Sequence, residues 1–201
     1  MLIEPDAAML GEAGRTLQGC DVRVEYRVGS AESVSGVTDV DLVLAASSWH
    51  WMDPNPTINS IHTMLRPGGV FFVVEYQFPR LENAPEINEW VRREFNLKWR
   101  APDQRPRGSL KELTEPVRKA DFFSQGGALR VEHAQEFTLE EFVGVIRSQS
   151  RYLAHEARLS DDQRREERVL MVDQLRQVWG NSEEILGSYS LEGYWFVKRW
   201  G

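Results

Sequence analysis

Residues 41–46 have the sequence Asp41-Leu42-Val43-Leu44-Ala45-Ala46, and residues 70–74 have the sequence Val70-Phe71-Phe72-Val73-Val74. Each is a short apolar run typical of a strand buried on both faces of a sheet. Between them, Asn55-Pro56 predicts a helix start, because asparagine caps a first turn and proline suits the first helical position. A strand, a helix and a strand with two-sided burial predict a parallel α/β sheet.

The same alternation continues on both sides of this unit. Leu2-Ile3 forms a short strand before a helix capped by Asp6, and residues 22–28 alternate apolar and polar side chains as a half-buried strand does. Capping boxes at Thr138-Leu139-Glu140-Glu141 and Ser160-Asp161-Asp162-Gln163 predict two later helices. The first should run through Tyr152, and the second should bury Val169, Leu170, Val172 and Leu175. Residues 188–200 alternate strongly and predict a terminal strand or hairpin.

Residues 79–127 break the α/β pattern and predict a lid or insertion of short helical and irregular pieces. This stretch contains five prolines and, from Arg92 to Lys119, nine basic and four acidic residues, a local charge of +5. Such a segment could neutralise an acidic substrate, or it could be a solvated face.

Composition limits the classes of protein that need to be considered. The chain has 201 residues with 24 basic and 31 acidic side chains, a formal charge of −7, so nothing in its overall charge steers it to nucleic acid. The single cysteine excludes an intrachain disulfide framework and a multi-cysteine metal site. No apolar run approaches the ~20 residues that span a membrane, and the first residues do not resemble a signal peptide. We therefore expect a soluble, cytoplasmic, single-domain protein.

Three places could carry chemistry. Glu4 ends the first short strand, where an acid either accepts hydrogen bonds from ribose hydroxyls or caps the next helix. Gly29-Ser30-Ala31-Glu32 follows the second strand and, taken alone, is a loop. Ser47-Ser48-Trp49-His50-Trp51 follows the buried strand, and its two tryptophans either form a pocket wall or pack in the core.

The order of these motifs resembles that of the class I S-adenosylmethionine-dependent methyltransferases, most closely the small-molecule branch that includes trans-aconitate-type enzymes. The resemblance rests on Glu-Pro-x-x-x-Met-Leu, Gly-Ser-Ala-Glu, Asp-Leu-Val-x-Ala-x-x-x-His-Trp and Leu-Arg-Pro-Gly-Gly, and it covers Ile3 to about Glu75. It implies a Rossmann-like α/β sheet with a helical or irregular insertion and a C-terminal antiparallel strand or hairpin.

The resemblance also implies a role for each site residue. Glu4 would hold the ribose of S-adenosylmethionine, Ser30, Ala31 and Glu32 would line its adenine, and Ala46 and Ser47 would lie near its methionine moiety. Trp49, His50 and Trp51 would lie at the junction of cofactor and substrate, with the two tryptophans in the substrate pocket. Since His50 is the only histidine among these motifs, it is also the candidate catalytic base; pocket lining and packing without ligand contact are the alternatives for His50. Residues 65–69 would be a structural turn. No metal is implied.

One departure from the family is expected to matter. The family's glycine-rich loop should lie about 20 residues before Glu4, whereas the sequence begins at Met1. We therefore expect an N-terminally truncated sheet, weak binding of S-adenosylmethionine and an open strand edge. Since such an edge favours strand addition, we expect a homodimer, with internal rearrangement or an unrelated partner as alternatives.

Two functions remain open from the sequence. The first is a methyltransferase acting on a small molecule. The second is a non-catalytic protein that keeps the methyltransferase fold for dimerisation or partner binding. The retained motifs favour descent from a cofactor-binding protein, and they do not discriminate between the two.

Overall fold

A computed structural model describes residues 1–100 and 108–200, which divide into two compact units. Unit 1 comprises the described residues of Met1–Glu75, Arg107–Arg130 and Glu192–Gly201, and unit 2 those of Tyr76–Pro106 and Val131–Leu191. The proposed lid, residues 79–127, is divided between the two units, and its residues 101–107 lie outside the described residues. The single domain with a lid therefore stays a prediction.

The described part of the chain forms seven strands and eight α-helices. The strands are β1 (Leu2–Glu4), β2 (Tyr26–Val28), β3 (Val40–Ala46), β4 (Leu65–Tyr76), β5 (Arg80–Leu81), β6 (Phe123–Phe137) and β7 (Ile185–Lys198). The helices are α1 (Ala7–Thr16), α2 (Pro54–Met64), α3 (Pro85–Arg93), α4 (Leu110–Leu113), α5 (Glu115–Lys119), α6 (Leu139–Arg147), α7 (Ser150–Glu156) and α8 (Asp161–Trp179). Ala31–Ser33 and Trp49–Trp51 form 3-10 turns, and Glu94–Lys98 forms a π-helical turn.

The strands form two sheets. β1 pairs in parallel with β2 in a two-stranded sheet, with Glu4 opposite Val28. The larger sheet has the order β3-β4-β7-β5, with β6 paired to β7; β3 and β4 are parallel, and β5 is antiparallel to β7. The α/β fold, its parallel strand-helix-strand unit and its C-terminal antiparallel strand are therefore confirmed.

The core of unit 1 forms on one face of β3 and β4. Its buried residues are Ala45, Trp49, Ile58, Ile61, Met64, Leu65, Phe71, Val73, Leu110, Val117, Phe123 and Phe196. The prediction that residues 41–46 are buried on both faces is wrong. Leu42 and Leu44 are 51% and 54% exposed, because successive strand residues alternate between faces and only the Val43 and Ala45 face packs on this core.

Three boundaries in unit 1 differ from those predicted. The turn expected at residues 65–69 is part of β4, which begins at Leu65 directly after α2. The strand expected over residues 22–28 is shortened to β2, because β1 offers only three residues with which it can pair. The helix expected to start at Asn55-Pro56 starts earlier. Asp53 caps it, since the Asp53 carboxylate accepts a hydrogen bond from the Asn55 backbone N–H and Pro54 takes the first helical position.

The core of unit 2 is mainly helical. Its buried residues are Leu81, Ala84, Ile87, Trp90, Val91, Trp99, Phe137, Phe142, Ile146, Tyr152, Met171, Leu175 and Trp179. Both predicted capping boxes are confirmed at the starts of α6 and α8. The helix expected through Tyr152 is instead divided into α6 and α7.

The predicted buried side of α8 is partly wrong. Val169 and Leu170 are 62% and 47% exposed, whereas Met171, Leu175 and Trp179 are buried. These three residues are spaced four apart, so they share one helical face, and the apolar pair at 169–170 lies outside it. In the described part of the chain, no helix combines the length and the apolar character needed to cross a membrane.

We predict that Gly69→Ala will destabilise the protein. Gly69 is buried, and a Cβ at this position would lie 2.9 Å from the carbonyl oxygens of both Arg66 and Val40. Because backbone atoms cannot rotate away, the free energy of unfolding should fall by about 1–3 kcal/mol, the usual range for overpacking. Urea denaturation followed by circular dichroism measures it.

Gly144→Ala is the matched control for this substitution. Gly144 lies inside α6, and a Cβ there would meet no atom within 4 Å. Its replacement should raise the free energy of unfolding by about 0.5–1 kcal/mol, because alanine restricts the unfolded chain more than glycine does. An unchanged urea midpoint for Gly69→Ala would contradict the tight approach of β4 to β3.

Candidate functional site

The predicted site residues follow the carboxyl ends of the two parallel strand pairs of unit 1. Glu4 is the last residue of β1, and residues 30–32 follow the end of β2. Ser47 follows β3, and its backbone N–H donates to the Val74 carbonyl of β4 at 2.8 Å. In open α/β sheets, ligands bind at this edge because the strand ends and helix starts there leave polar backbone groups accessible.

Glu4 is partly buried and organises the turn into α1. Its Oε1 accepts a hydrogen bond from the Asp6 backbone N–H at 3.0 Å, and Asp6 in turn caps α1 by accepting from the Ala8 N–H at 2.7 Å. The capping alternative for Glu4 is therefore present in the structure. Ribose binding by the same carboxylate stays a prediction.

The Glu32 carboxylate connects the two loops of the site. Its Oε1 accepts a hydrogen bond from the backbone N–H of Asp53 at 3.1 Å, and Asp53 is the N-cap residue of α2. The pKa of Glu32 is lowered, mainly because its own backbone N–H stabilises the carboxylate, with further hydrogen bonds from Ser30 and Asp53; partial burial opposes this shift. The loop after β2 is thus fastened to the segment after β3.

Ser47 has a backbone conformation that the sequence did not indicate. Its φ of 48° lies in the left-handed region, which is uncommon for residues other than glycine and costs about 1–3 kcal/mol. The hydrogen bond to Val74 holds it in place. Strained residues of this kind are concentrated at ligand sites, so the position of Ser47 beside Ala46 is compatible with the predicted contact to a cofactor.

His50 lies against Glu75, a residue that the sequence reasoning missed. The His50 Nδ1 and Glu75 Oε1 atoms are 3.3 Å apart, and the two side chains are only 14% and 13% exposed. Glu75 directly follows Val74, the partner of Ala46 in β4. The signal was available in the sequence, because Glu75 is the acid that ends the apolar run 70–74 at the carboxyl edge.

The two tryptophans beside His50 have different environments. Trp49 is 2% exposed, its Nε1 donates to the Leu113 carbonyl at 2.8 Å, and its ring packs on Phe71. Trp51 is 65% exposed, and its ring lies 4.8 Å from that of His50. The structure therefore favours core packing for Trp49, while Trp51 is accessible to a ligand. The pocket role of both residues stays a prediction.

A family model matches the part of the chain that carries these residues. Residues 1–73 match a family model described as a methyltransferase domain. Among proteins with curated descriptions, none matches the chain. The matched region includes Glu4, Ser30–Glu32, Ala46–Ser47 and Trp49–Trp51 and ends two residues before Glu75.

Solved structures match over nearly the whole chain. A provisionally assigned type II methyltransferase from Anaeromyxobacter dehalogenans has 24% identity and a TM-score of 0.64, with 98% of this chain and 78% of that chain covered. The YcgJ protein of Bacillus subtilis has 18% identity and a TM-score of 0.52, with 99% and 82% covered. A provisionally assigned methyltransferase from Bacillus halodurans has 15% identity and a TM-score of 0.51, with 98% and 82% covered.

At these identities the solved structures show the fold. Together with the family match, they confirm the resemblance to the class I methyltransferases and the Rossmann-like α/β fold that it implied. The likeness to the trans-aconitate-type branch stays a prediction.

We predict that Glu32→Gln will lower stability by about 1 kcal/mol or less at neutral pH, since the partly exposed carboxylate loses charge-assisted hydrogen bonds that solvent screens. Because the folded-state pKa is lowered, Glu32 stabilises the fold above its unfolded pKa and loses this effect as the pH falls through the folded pKa. The difference between wild type and variant should therefore shrink in acid. Thermal melts between pH 3 and pH 7 measure this.

Glu183→Gln is the matched control, because it removes the same charge at an exposed position in unit 2. It should change the melting temperature little at any pH in this range. A Glu32→Gln effect that is equal at both ends of the pH range would show that the carboxylate charge does not fasten the loop.

Proposed function

We propose that this chain, which carries the match to the methyltransferase domain and has the fold of the class I methyltransferases, is an S-adenosylmethionine-dependent methyltransferase acting on a small molecule. The observation that carries the proposal is the hydrogen bond between Glu32 and Asp53. It supports the proposal because it fastens the loop after β2, which carries Ser30, Ala31 and Glu32, to the segment after β3.

The residues present fit the cofactor in chemical type. The Glu4 carboxylate can accept hydrogen bonds from two ribose hydroxyls, and Ser30 and Ala31 can line an adenine. Ala46 and Ser47 are exposed small residues beside which a methionine moiety can lie. The Glu32 carboxylate accepts backbone hydrogen bonds that shape the loop after β2, beside which the adenine is proposed to lie.

When bound, S-adenosylmethionine supplies a methyl group on a sulfonium sulfur, which leaves as a thioether when the acceptor attacks the methyl carbon. The protein's part in such a transfer is to bind and orient the reactants and, where needed, to take up a proton. Trp51 offers an exposed aromatic surface for an acceptor, and the imidazole of His50 lies against it.

We predict that Glu4→Ala will weaken S-adenosylmethionine binding at least tenfold, which is 1.4 kcal/mol, because the carboxylate makes charge-assisted bonds to the ribose. Glu25→Ala is the control, since it removes an equally negative but exposed side chain beside β2. Isothermal titration calorimetry measures both. We expect saturable binding by the wild type, weaker than the low micromolar range.

Two outcomes would count against this proposal. The absence of saturable binding by the wild type at millimolar cofactor would contradict cofactor use. Equal and small losses for Glu4→Ala and Glu25→Ala would show that the implied ribose site is not used. Formation of S-adenosylhomocysteine from a panel of small hydroxyl, amine and carboxylate acceptors, followed by mass spectrometry, tests the transfer itself.

We also propose that the chain forms a homodimer. The support is the apolar outer face of β3, where Leu42 and Leu44 are more than half exposed and lie on the same side of the strand. Apolar surface removed from water contributes about 25 cal/mol per Å². A second copy of the chain can bury this face without any other partner.

The double variant Leu42→Ser/Leu44→Ser should shift the protein toward a 23 kDa monomer in light scattering coupled to size exclusion, because it removes the apolar surface of β3. Val169→Ser/Leu170→Ser is the matched control, since these exposed side chains lie on α8 in unit 2. A wild type that is monomeric and folded at micromolar concentration would contradict the homodimer.

A further inference from the structure

His50 and Glu75 form a buried pair at the carboxyl edge of β3 and β4. The 3.3 Å between His50 Nδ1 and Glu75 Oε1 is compatible with a hydrogen bond, and a carboxylate can only accept. A neutral imidazole that donates to this carboxylate carries its proton on Nδ1 and a lone pair on Nε2. Because both side chains are about seven-eighths buried, water competes weakly for this contact.

We propose that Glu75 is a positioning residue that holds His50 in the Nδ1–H tautomer, so that Nε2 can take a proton from the methyl acceptor. The inference rests on the proposed function and narrows its substrate class to acceptors with a neutral hydroxyl or amine group. A substrate that accepts the methyl group on a carboxylate would need no such base, because a carboxylate is already ionised at neutral pH.

The backbone fixes both members of the pair. Glu75 continues β4 directly after Val74, whose carbonyl accepts from Ser47, so the position of Glu75 follows from the strand pairing. His50 is the middle residue of the 3-10 turn Trp49–Trp51, and the buried indole of Trp49 fastens this turn through its bond to Leu113.

Trp51 provides a second contact to the imidazole. Its ring centroid lies 4.8 Å from that of His50 with the planes tilted by 44°. The contact restricts rotation of the imidazole, while the exposed face of Trp51 remains accessible to an acceptor. The arrangement therefore places an oriented base next to an apolar surface, which is what a small acceptor with one ionisable hydroxyl or amine group requires.

The proton and electron balance of the step is simple. The acceptor oxygen or nitrogen forms a bond to the methyl carbon, the carbon–sulfur bond breaks with its electron pair going to sulfur, and the acceptor proton goes to His50 Nε2. The imidazole then carries a positive charge, which the Glu75 carboxylate stabilises at short range. The proton later passes to solvent.

The ¹⁵N NMR spectrum of the histidine side chains tests this directly and without any substrate. The chain has four histidines, so His50→Gln identifies the resonance of His50. Wild-type protein should show His50 as the Nδ1–H tautomer at a pH where the imidazole is neutral. Glu75→Gln should give a mixture of tautomers, because an amide can donate to Nδ1 as well as accept from it. Glu25→Gln should leave the spectrum of His50 unchanged.

Kinetics with a hydroxyl or amine acceptor provide the second readout. Glu75→Gln should lower kcat by about tenfold to a hundredfold, within the range that general-base catalysis contributes, with little change in the KM for S-adenosylmethionine. Glu75→Asp should restore part of the activity, since it keeps the carboxylate. An acceptor that is already anionic should be methylated at similar rates by wild type and Glu75→Gln.

The outcomes distinguish a failure of the positioning role of Glu75 from a failure of the proposed methyltransferase function. An Nε2–H tautomer in the wild type, or an unchanged tautomer in folded Glu75→Gln, would overturn the role of Glu75 whatever the activity. A wild type that shows the Nδ1–H tautomer but transfers no methyl group to any acceptor would overturn the proposed function while supporting the contact. If Glu75→Gln fails to fold, the wild-type spectrum and Glu75→Asp still decide the question.

Discussion

The parallel pairing of β3 with β4 is the constraint on which the rest of unit 1 depends. Its register places Ala45 opposite Val73 and Ala46 opposite Val74, so that one face of both strands enters the same core. The pairing requires a close backbone approach at Gly69, where a side chain would collide with two carbonyl oxygens. The same register brings Glu75 to the loop that carries His50. Core and candidate site therefore follow from one set of backbone hydrogen bonds.

A hydrogen bond to the Glu32 carboxylate connects the loop after β2 to the segment after β3. Two short parallel strands such as β1 and β2 bury little surface and need a further attachment. The Glu32 carboxylate supplies one by accepting a backbone hydrogen bond at the start of α2. The Glu4 carboxylate has a similar effect on the turn into α1, because it accepts a hydrogen bond from the Asp6 backbone N–H.

The parts of the fold that depend on local chemistry could be predicted from the sequence. The capping boxes at Thr138 and Ser160, the helix between two apolar strands and the order of the motifs were all confirmed. These features depend on residues that are close together in the sequence, so a local pattern is enough to predict them. The exposed face of β3 could not be predicted, since a continuous apolar run looks the same whether one face or both are covered.

The sequence predicted that the candidate site residues follow strands, but it did not predict the contact between His50 and Glu75. Glu75 was missed because its partner His50 is 25 residues away in the sequence and is reached only through the register of β3 and β4. The left-handed Ser47 was missed because serine gives no local signal for a positive φ. Both features arise where a strand ends and tertiary contacts decide the backbone conformation.

The turn Trp49–Trp51 shows how one core residue determines the directions of its neighbours' side chains. A 3-10 turn has three residues per turn, so successive side chains point about 120° apart. When Trp49 enters the core and bonds Leu113, the directions of His50 and Trp51 are determined, and neither of them enters the core beside Trp49. The buried tryptophan thereby fixes the imidazole against Glu75, and the exposed one leaves an aromatic surface beside it. Two residues of the same type, two positions apart, thus have opposite environments, one in the core and one at the surface.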